Sequence, residues 1–314
     1  MNQKYSFIIL LLISSLTLFF YLVIYQKKSY KQGTNKLLIV CTTSIITDAV
    51  KQVVGDHAIV VGLMGPGIDP HIYQARESDV IKLTQADIVF YNGLHLEGKM
   101  ASILEHLQGS TAITVTNSID KKKLRRAEEN IYDPHVWFDV KLWIQAVEHI
   151  RDTLMNIDQP HDADYQTNAQ RYTKQLDNLD QYMHKKVKEL LPSQRILVTA
   201  HDAFGYFGNA YGFKVIGLQG ISTNAEPGTK DINVLVEFIV GNKIPALFSE
   251  SSIPQRNIQA VQHAVKARGW GVTIGSDLYS DALGPKGSEQ ETYIGMVRYN
   301  VDTIVNALNY HEVY

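Results

Sequence analysis

The sequence predicts an α/β protein of two lobes with parallel sheets, bridged by a single long helix. Three observations carry that expectation. Short apolar runs alternate with longer mixed segments from Leu37 onward, which is the pattern of parallel strands joined by crossover helices. The alternation restarts after Arg195, so there are two such halves. Between them, Asp162 to Leu191 holds no proline or glycine and places Ala169, Tyr172, Leu176, Leu179, Met183, Val187 and Leu190 in three- and four-residue steps. At ~1.5 Å per residue such a helix is about 40 Å long, a stiff connector.

The elements follow in chain order. Leu37–Thr42 is the first strand, and the segment from Ser44 to Val50 opens a helix capped by a hydroxyl. Ala58–Leu63, Ala86–Tyr91 and Ala112–Val115 are further strands, with helical spacing in Ser78–Thr84 and Met100–Leu107. In the later half Arg195–Thr199, Lys214–Leu218, Ala246–Phe248 and Gly271–Ile274 are strand candidates, and Ala203–Ala210, Asn233–Val240 and Gln259–Arg268 are helices. The expected domains are a first lobe over 36–161, the linking helix over 162–191 and a second lobe over 192–314.

Residues 1–35 differ from the rest. Phe7 to Tyr25 is a 19-residue run without a charge, flanked by Lys4 and by Lys27, Lys28 and Lys31. That length spans a bilayer, and no small-x-small cleavage site ends it. It reads as an uncleaved signal-anchor that leaves the body extracytoplasmic, with a cleaved signal peptide as the alternative. The lysine-rich downstream flank opposes export by the positive-inside rule, so export needs support from the rest of the chain. The net charge of -2 offers no basic face for nucleic acid. The run Asp120 to Arg126, followed by Glu128 and Glu129, reads as a solvated loop. A single cysteine, Cys41, excludes an intrachain disulfide and a thiolate cluster.

The chemistry lies in His71, His135, His201 and Asp277, spaced 64, 66 and 76 residues apart. Three imidazoles and a carboxylate complete the coordination of a divalent transition metal, and their spacing requires two halves of a fold to converge. His71 lies in the turn Gly65-Pro66-Gly67-Ile68-Asp69-Pro70-His71, and His135 repeats its Asp-Pro-His triplet in Asp133-Pro134-His135. Asp133 and Asp139 are placed to orient the His135 ring. The rival readings are a solvated turn histidine for the first and a core histidine beside Trp137 for the second. His201 directly follows a strand, at the edge where ligands of open α/β sheets gather; Asp202 is placed to cap the next helix. Asp277, in Gly275-Ser276-Asp277, is on its own an ordinary turn residue and gains weight only from the other three. Glu250 and, more weakly, Glu226 are candidates to support a ligating imidazole.

Taken together these segments resemble the TroA-like (cluster A-I) metal-binding solute-binding proteins that deliver manganese or zinc to ABC importers. Gly93-Leu94-His95-Leu96-Glu97-Gly98-Lys99-Met100, Asp133-Pro134-His135-Val136-Trp137-Phe138-Asp139 and Thr199-Ala200-His201-Asp202-Ala203-Phe204-Gly205-Tyr206-Phe207 carry the resemblance with the segments above. It spans nearly all of the chain from Leu37. It implies the helical-backbone metal receptor fold, with the ion in the cleft held by His71 and His135 from one lobe and His201 and Asp277 from the other. It also implies a Zn²⁺ or Mn²⁺ cargo, an ABC permease as partner, and work outside the membrane, here as a monomer tethered by the N-terminal segment. Many members are anchored through a lipidated cysteine, and none stands in the right place here. Zinc-specific relatives usually carry a His-rich loop; the corresponding Asn117 to Tyr132 has no histidine. Members with Glu in place of His201 tend towards manganese, whereas this chain keeps His. The other classes are a zinc-dependent hydrolase, with Glu250 as its base, and a surface adhesion protein with a structural metal. Four protein ligands and the lack of a His-Glu-x-x-His helix argue against an enzyme.

Overall fold

The computed structural model describes residues 36–107, 111–128 and 131–309. The apolar N-terminal segment, whether anchor or cleaved signal, lies outside the described residues. Among the described residues no helix is long and apolar enough to cross a membrane.

In the first lobe β1 (Leu37–Cys41), β2 (Ala58–Gly62), β3 (Ile88–Tyr91) and β4 (Ala112–Thr114) form a parallel sheet in the order β2-β1-β3-β4. β1 is central, and four of its five residues are fully enclosed, as expected where helices cover both faces of a sheet. The helices here are α1 (Ser44–Val54), α2 (Glu77–Gln85) and α3 (Ala101–Leu107). The Thr43 hydroxyl caps α1 by accepting the Ile46 N–H at 3.3 Å. A short antiparallel hairpin, β5 (Arg126–Glu128) with β6 (Ile131–Tyr132), then leads to α4 (Val140–Ile157). Asp139 caps α4 through the N–H groups of Lys141 and Leu142. That is its role in place of the one expected beside His135.

The linking helix α5 (Asp162–Lys186) is about 37 Å long at ~1.5 Å per residue. It ends five residues before the expected limit, where Val187–Glu189 tightens into a 3₁₀ turn. The Arg195 guanidinium takes up the freed Leu190 carbonyl at 3.0 Å. Tyr165, Ala169, Tyr172, Leu176, Leu179 and Met183 bury one face of α5 in the principal core, which runs through both lobes.

In the second lobe β7 (Ile196–His201) pairs in parallel with β8 (Lys214–Gln219), and β9 (Ala246–Glu250) with β10 (Thr273–Leu278). β7 packs alongside β9, which joins the two pairs. α6 (Gly205–Tyr211), α7 (Thr229–Gly241) and α8 (Arg256–Ala267) surround them, and α9 (Tyr293–Leu308) returns to pack on α5. The two-lobed α/β architecture with parallel sheets and a bridging helix is thus the observed one.

Candidate metal centre

Each ligand-bearing loop begins with a local device. In both Asp-Pro-His triplets the aspartate side chain accepts the histidine backbone N–H, at 2.9 Å from His71 to Asp69 and 3.0 Å from His135 to Asp133. The duplicated motif is therefore one turn used twice, in which proline restricts the aspartate before it and that carboxylate closes the loop. Gly67 helps to set the first turn with a φ of +69°, a left-handed conformation that glycine adopts freely. The second carboxylate also takes the His135 Nδ1–H at 2.7 Å, which leaves the Nε2 lone pair facing inward. His201 is the last residue of β7, and Glu250 at the end of β9 does the same work there. It accepts the His201 N–H at 2.9 Å and Nδ1–H at 2.6 Å.

These loops bring His71, His135 and His201 together, and the carboxylate that joins them is Asp281. One donor atom from each of the four lies within 4.8 Å of every other, and all four residues are buried. His71 and His135 Nε2 stand 3.2 Å apart, and Asp281 oxygens lie 3.2, 3.4 and 3.8 Å from Nε2 of His201, His135 and His71. A tetrahedron around an ion with bonds of 2.0–2.1 Å has edges of about 3.3 Å. The spacing already suits a four-coordinate divalent ion. His201 Nε2 and both Asp281 oxygens are buried without a hydrogen-bond partner, a costly arrangement for protein alone and a natural one around a cation.

Asp277 is not at this centre. Its carboxylate accepts hydrogen bonds from the Ser249 hydroxyl and, at 2.7 Å, from Gln255 Nε2, and it is only partly buried. The reason is the length of β10. The sequence places the strand's end at Ile274 and Asp277 beyond it, whereas the strand runs to Leu278 with a shift in register after Gly275. The loop past its end carries Asp281, fixed by the Trp137 indole N–H, which donates to the Ser280 carbonyl at 2.9 Å. The other expectations divide. Glu250 supports His201 as anticipated, while Glu226 is exposed and pairs with Arg256 and Asn257. Asp202 does not cap α6, whose N-cap is Phe204, but faces Arg125. Arg125 itself leaves the expected solvated run and turns inward.

The electrostatics fit a cation. Burial pushes the His71 imidazole down to about 3, so it is neutral. Burial opposes charge on His135 as well, but the Asp133 and Asp281 carboxylates outweigh it and push this imidazole up to about 9. His201 is raised in the same way by Glu250 and Asp281. Burial alone would raise the Asp281 carboxyl, yet His201 and His135 hold it well below the usual carboxylate range. In the metal-free protein protons thus occupy part of the positive charge that a cation supplies.

Fold and centre together define the class of two-lobed receptors that take a bare divalent cation between their lobes. The chain belongs to the family described as ZnuA, zinc-uptake complex component A, periplasmic, which matches residues 39–307. It is similar to the zinc-binding protein TroA of Treponema pallidum, at 47% identity over 274 residues covering 87% of this chain and 89% of that protein. The manganese-binding lipoprotein MntA of Bacillus subtilis is 45% identical over 280 residues, 88% of this chain and 92% of MntA. The solved structure of periplasmic TroA from Treponema pallidum matches with a TM-score of 0.86, covering 87% of this chain and 99% of that one at 47% identity. A Cd-bound periplasmic metal-binding protein from Candidatus Liberibacter asiaticus matches with a TM-score of 0.77 at 26% identity, covering 87% and 100%.

Proposed function

We propose that this chain is an extracytoplasmic solute-binding protein. It captures Zn²⁺ or Mn²⁺ between its lobes through His71, His135, His201 and Asp281, and delivers the ion to an ABC permease. One observation carries the reading: three imidazole nitrogens and a carboxylate converge in a buried space, where His201 Nε2 and both Asp281 oxygens have no hydrogen-bond partner. The working units are a first lobe over 36–161, the linking helix over 162–191 and a second lobe over 192–314. The protein acts as a monomer, and residues 1–35 tether it to the membrane as an uncleaved anchor; mass spectrometry of the mature N-terminus separates this from a cleaved signal peptide.

Such a centre carries its ion and does no chemistry on it. Four protein ligands leave no position for an activated water, and Glu250, the base a hydrolase would need, is committed to His201. Three nitrogens and one oxygen bind zinc more tightly than manganese by the Irving–Williams order. Titration with each ion against a competing chelator tests the proposal. One ion per chain with zinc the tighter is expected, and a protein that binds neither ion would end it.

A further inference from the structure

We propose that Arg125 is the positioning residue that locks His135 and His201, ligands of opposite lobes, at metal-binding distance and so sets how long the ion is held. The inference rests on the metal-capture reading above. Arg125 Nη1 donates to Asp133 Oδ2 at 2.8 Å, and the other oxygen of that carboxylate holds both the backbone and the ring of His135. Arg125 Nη2 donates to Asp202 Oδ2 at 2.9 Å, on the residue that follows His201 in the second lobe. One planar fork therefore joins the carboxylate that holds His135 in the first lobe to the residue next to His201 in the second. Its backbone repeats the link: the Arg125 N–H donates to the Tyr206 hydroxyl at 2.9 Å, which donates onward to the Asp133 carbonyl at 2.9 Å.

The second lobe is shaped to receive this fork. Gly205 has no positive φ that would demand glycine. A Cβ there would run into the Arg125 guanidinium, meeting Nη1, Cζ and Nε. Gly205 is thus a space left for Arg125 at the start of α6. Asp202, Gly205 and Tyr206 lie within five residues of sequence; the first two meet the Arg125 guanidinium and the third its backbone N–H. Lysine is a poor replacement, because a single ammonium on a flexible stem does not reproduce the fixed, planar spacing of the two guanidinium donors. Without the fork, the Asp133 and Asp202 carboxylates lose the cation that draws them together across the two lobes.

The test is the rate at which zinc leaves the loaded full-length chain when excess EDTA is added, measured by stopped flow for Arg125→Lys, Gly205→Ala and Asp202→Asn. Loss of a residue that hydrogen-bonds a metal ligand costs about 10–100-fold in metal affinity. These three residues act one contact further out, so zinc dissociation faster by about 10-fold, the low end of that range, is expected in each variant. Combining Arg125→Lys with Asp202→Asn should add little to either alone, since both remove one contact. A merely structural bridge would lower the melting temperature of the metal-free protein and leave zinc dissociation unchanged. Rates within about twofold of the parent in Arg125→Lys and Gly205→Ala, or fully additive effects in the double variant, would overturn the proposal. Should Arg125→Lys not fold, the other two variants decide the matter. A parent chain that binds no zinc would instead sink the capture reading itself.

Discussion

Replacing Asp281 and Asp277 separately by asparagine tells the two acids apart. Asparagine keeps the shape of the side chain and removes its charge. Asp281 is the one anion among the four converging donors, and its oxygens lie 3.2–3.8 Å from three imidazole nitrogens. Loss of a residue that only hydrogen-bonds a ligand costs about 10–100-fold in affinity, and loss of an anionic ligand to a dication exceeds that. Asp281→Asn is therefore expected to weaken zinc binding by about 100-fold or more, or roughly 2.7 kcal/mol. Asp277 only accepts hydrogen bonds from Ser249 and Gln255. Asp277→Asn should cost about 1 kcal/mol of stability and leave affinity within about twofold. Competition against a chromogenic chelator gives the affinities, and melting with and without zinc shows that each variant folds. If Asp277→Asn abolished binding while Asp281→Asn kept it, the assigned centre would be wrong.

Two further outcomes follow from the same geometry. His135 is pushed up to about 9 and His201 is raised as well, so both hold a proton in the metal-free protein at pH 7, which an incoming ion must displace. Affinity should rise as pH climbs towards 9 and fall as it drops, and calorimetry at pH 7 in buffers of different ionisation enthalpy should show release of about one to two protons per zinc; none would refute this protonation scheme. Leu176 is buried in the face that α5 turns to the core, so Leu176→Ala should cost about 2–5 kcal/mol in denaturant unfolding, and a loss under about 1 kcal/mol would show that the helix is not a packed strut.

The strands were legible because each is a short apolar run bounded by turn residues, and α5 because twenty-five residues without a breaker repeat one apolar stripe. The three histidines were legible for a related reason: two sit in the same Asp-Pro-His turn and the third ends a strand. The acid was not. Gly275-Ser276 looks like a turn, but Gly275 lies inside β10, where a Cβ would meet the Phe248 ring, so packing and not chain reversal demands glycine. That mistake of a few residues moved the ligand from Asp281 to Asp277. A usable signal lay in Tyr279-Ser280-Asp281-Ala282-Leu283, where Asp281 is the only charge in an otherwise burial-prone stretch. Arg125 was hidden for the opposite reason. Among neighbouring lysines it looks solvated, and its partner Asp202 is 77 residues away in sequence.

The strut also constrains how the ion leaves. α5 packs on α1, α4 and α9, and the principal core is continuous across both lobes, so a wide hinge would have to break that core. The ligand loops, by contrast, are held across the cleft by a few polar links. Thr223 donates to Asp69 at 2.6 Å, Tyr206 to the Asp133 carbonyl, and Trp137 to the carbonyl before Asp281. Each such bond contributes only about 1 kcal/mol net, far less than repacking a core. Release is therefore cheapest by a small shift of the Asp281 carboxylate out of the cluster, since its loop, with Leu278 and Leu283 packed in that core, does not move as a body. That motion withdraws the one anionic ligand and leaves the cation among three neutral nitrogens, so a small displacement is enough to weaken its hold steeply.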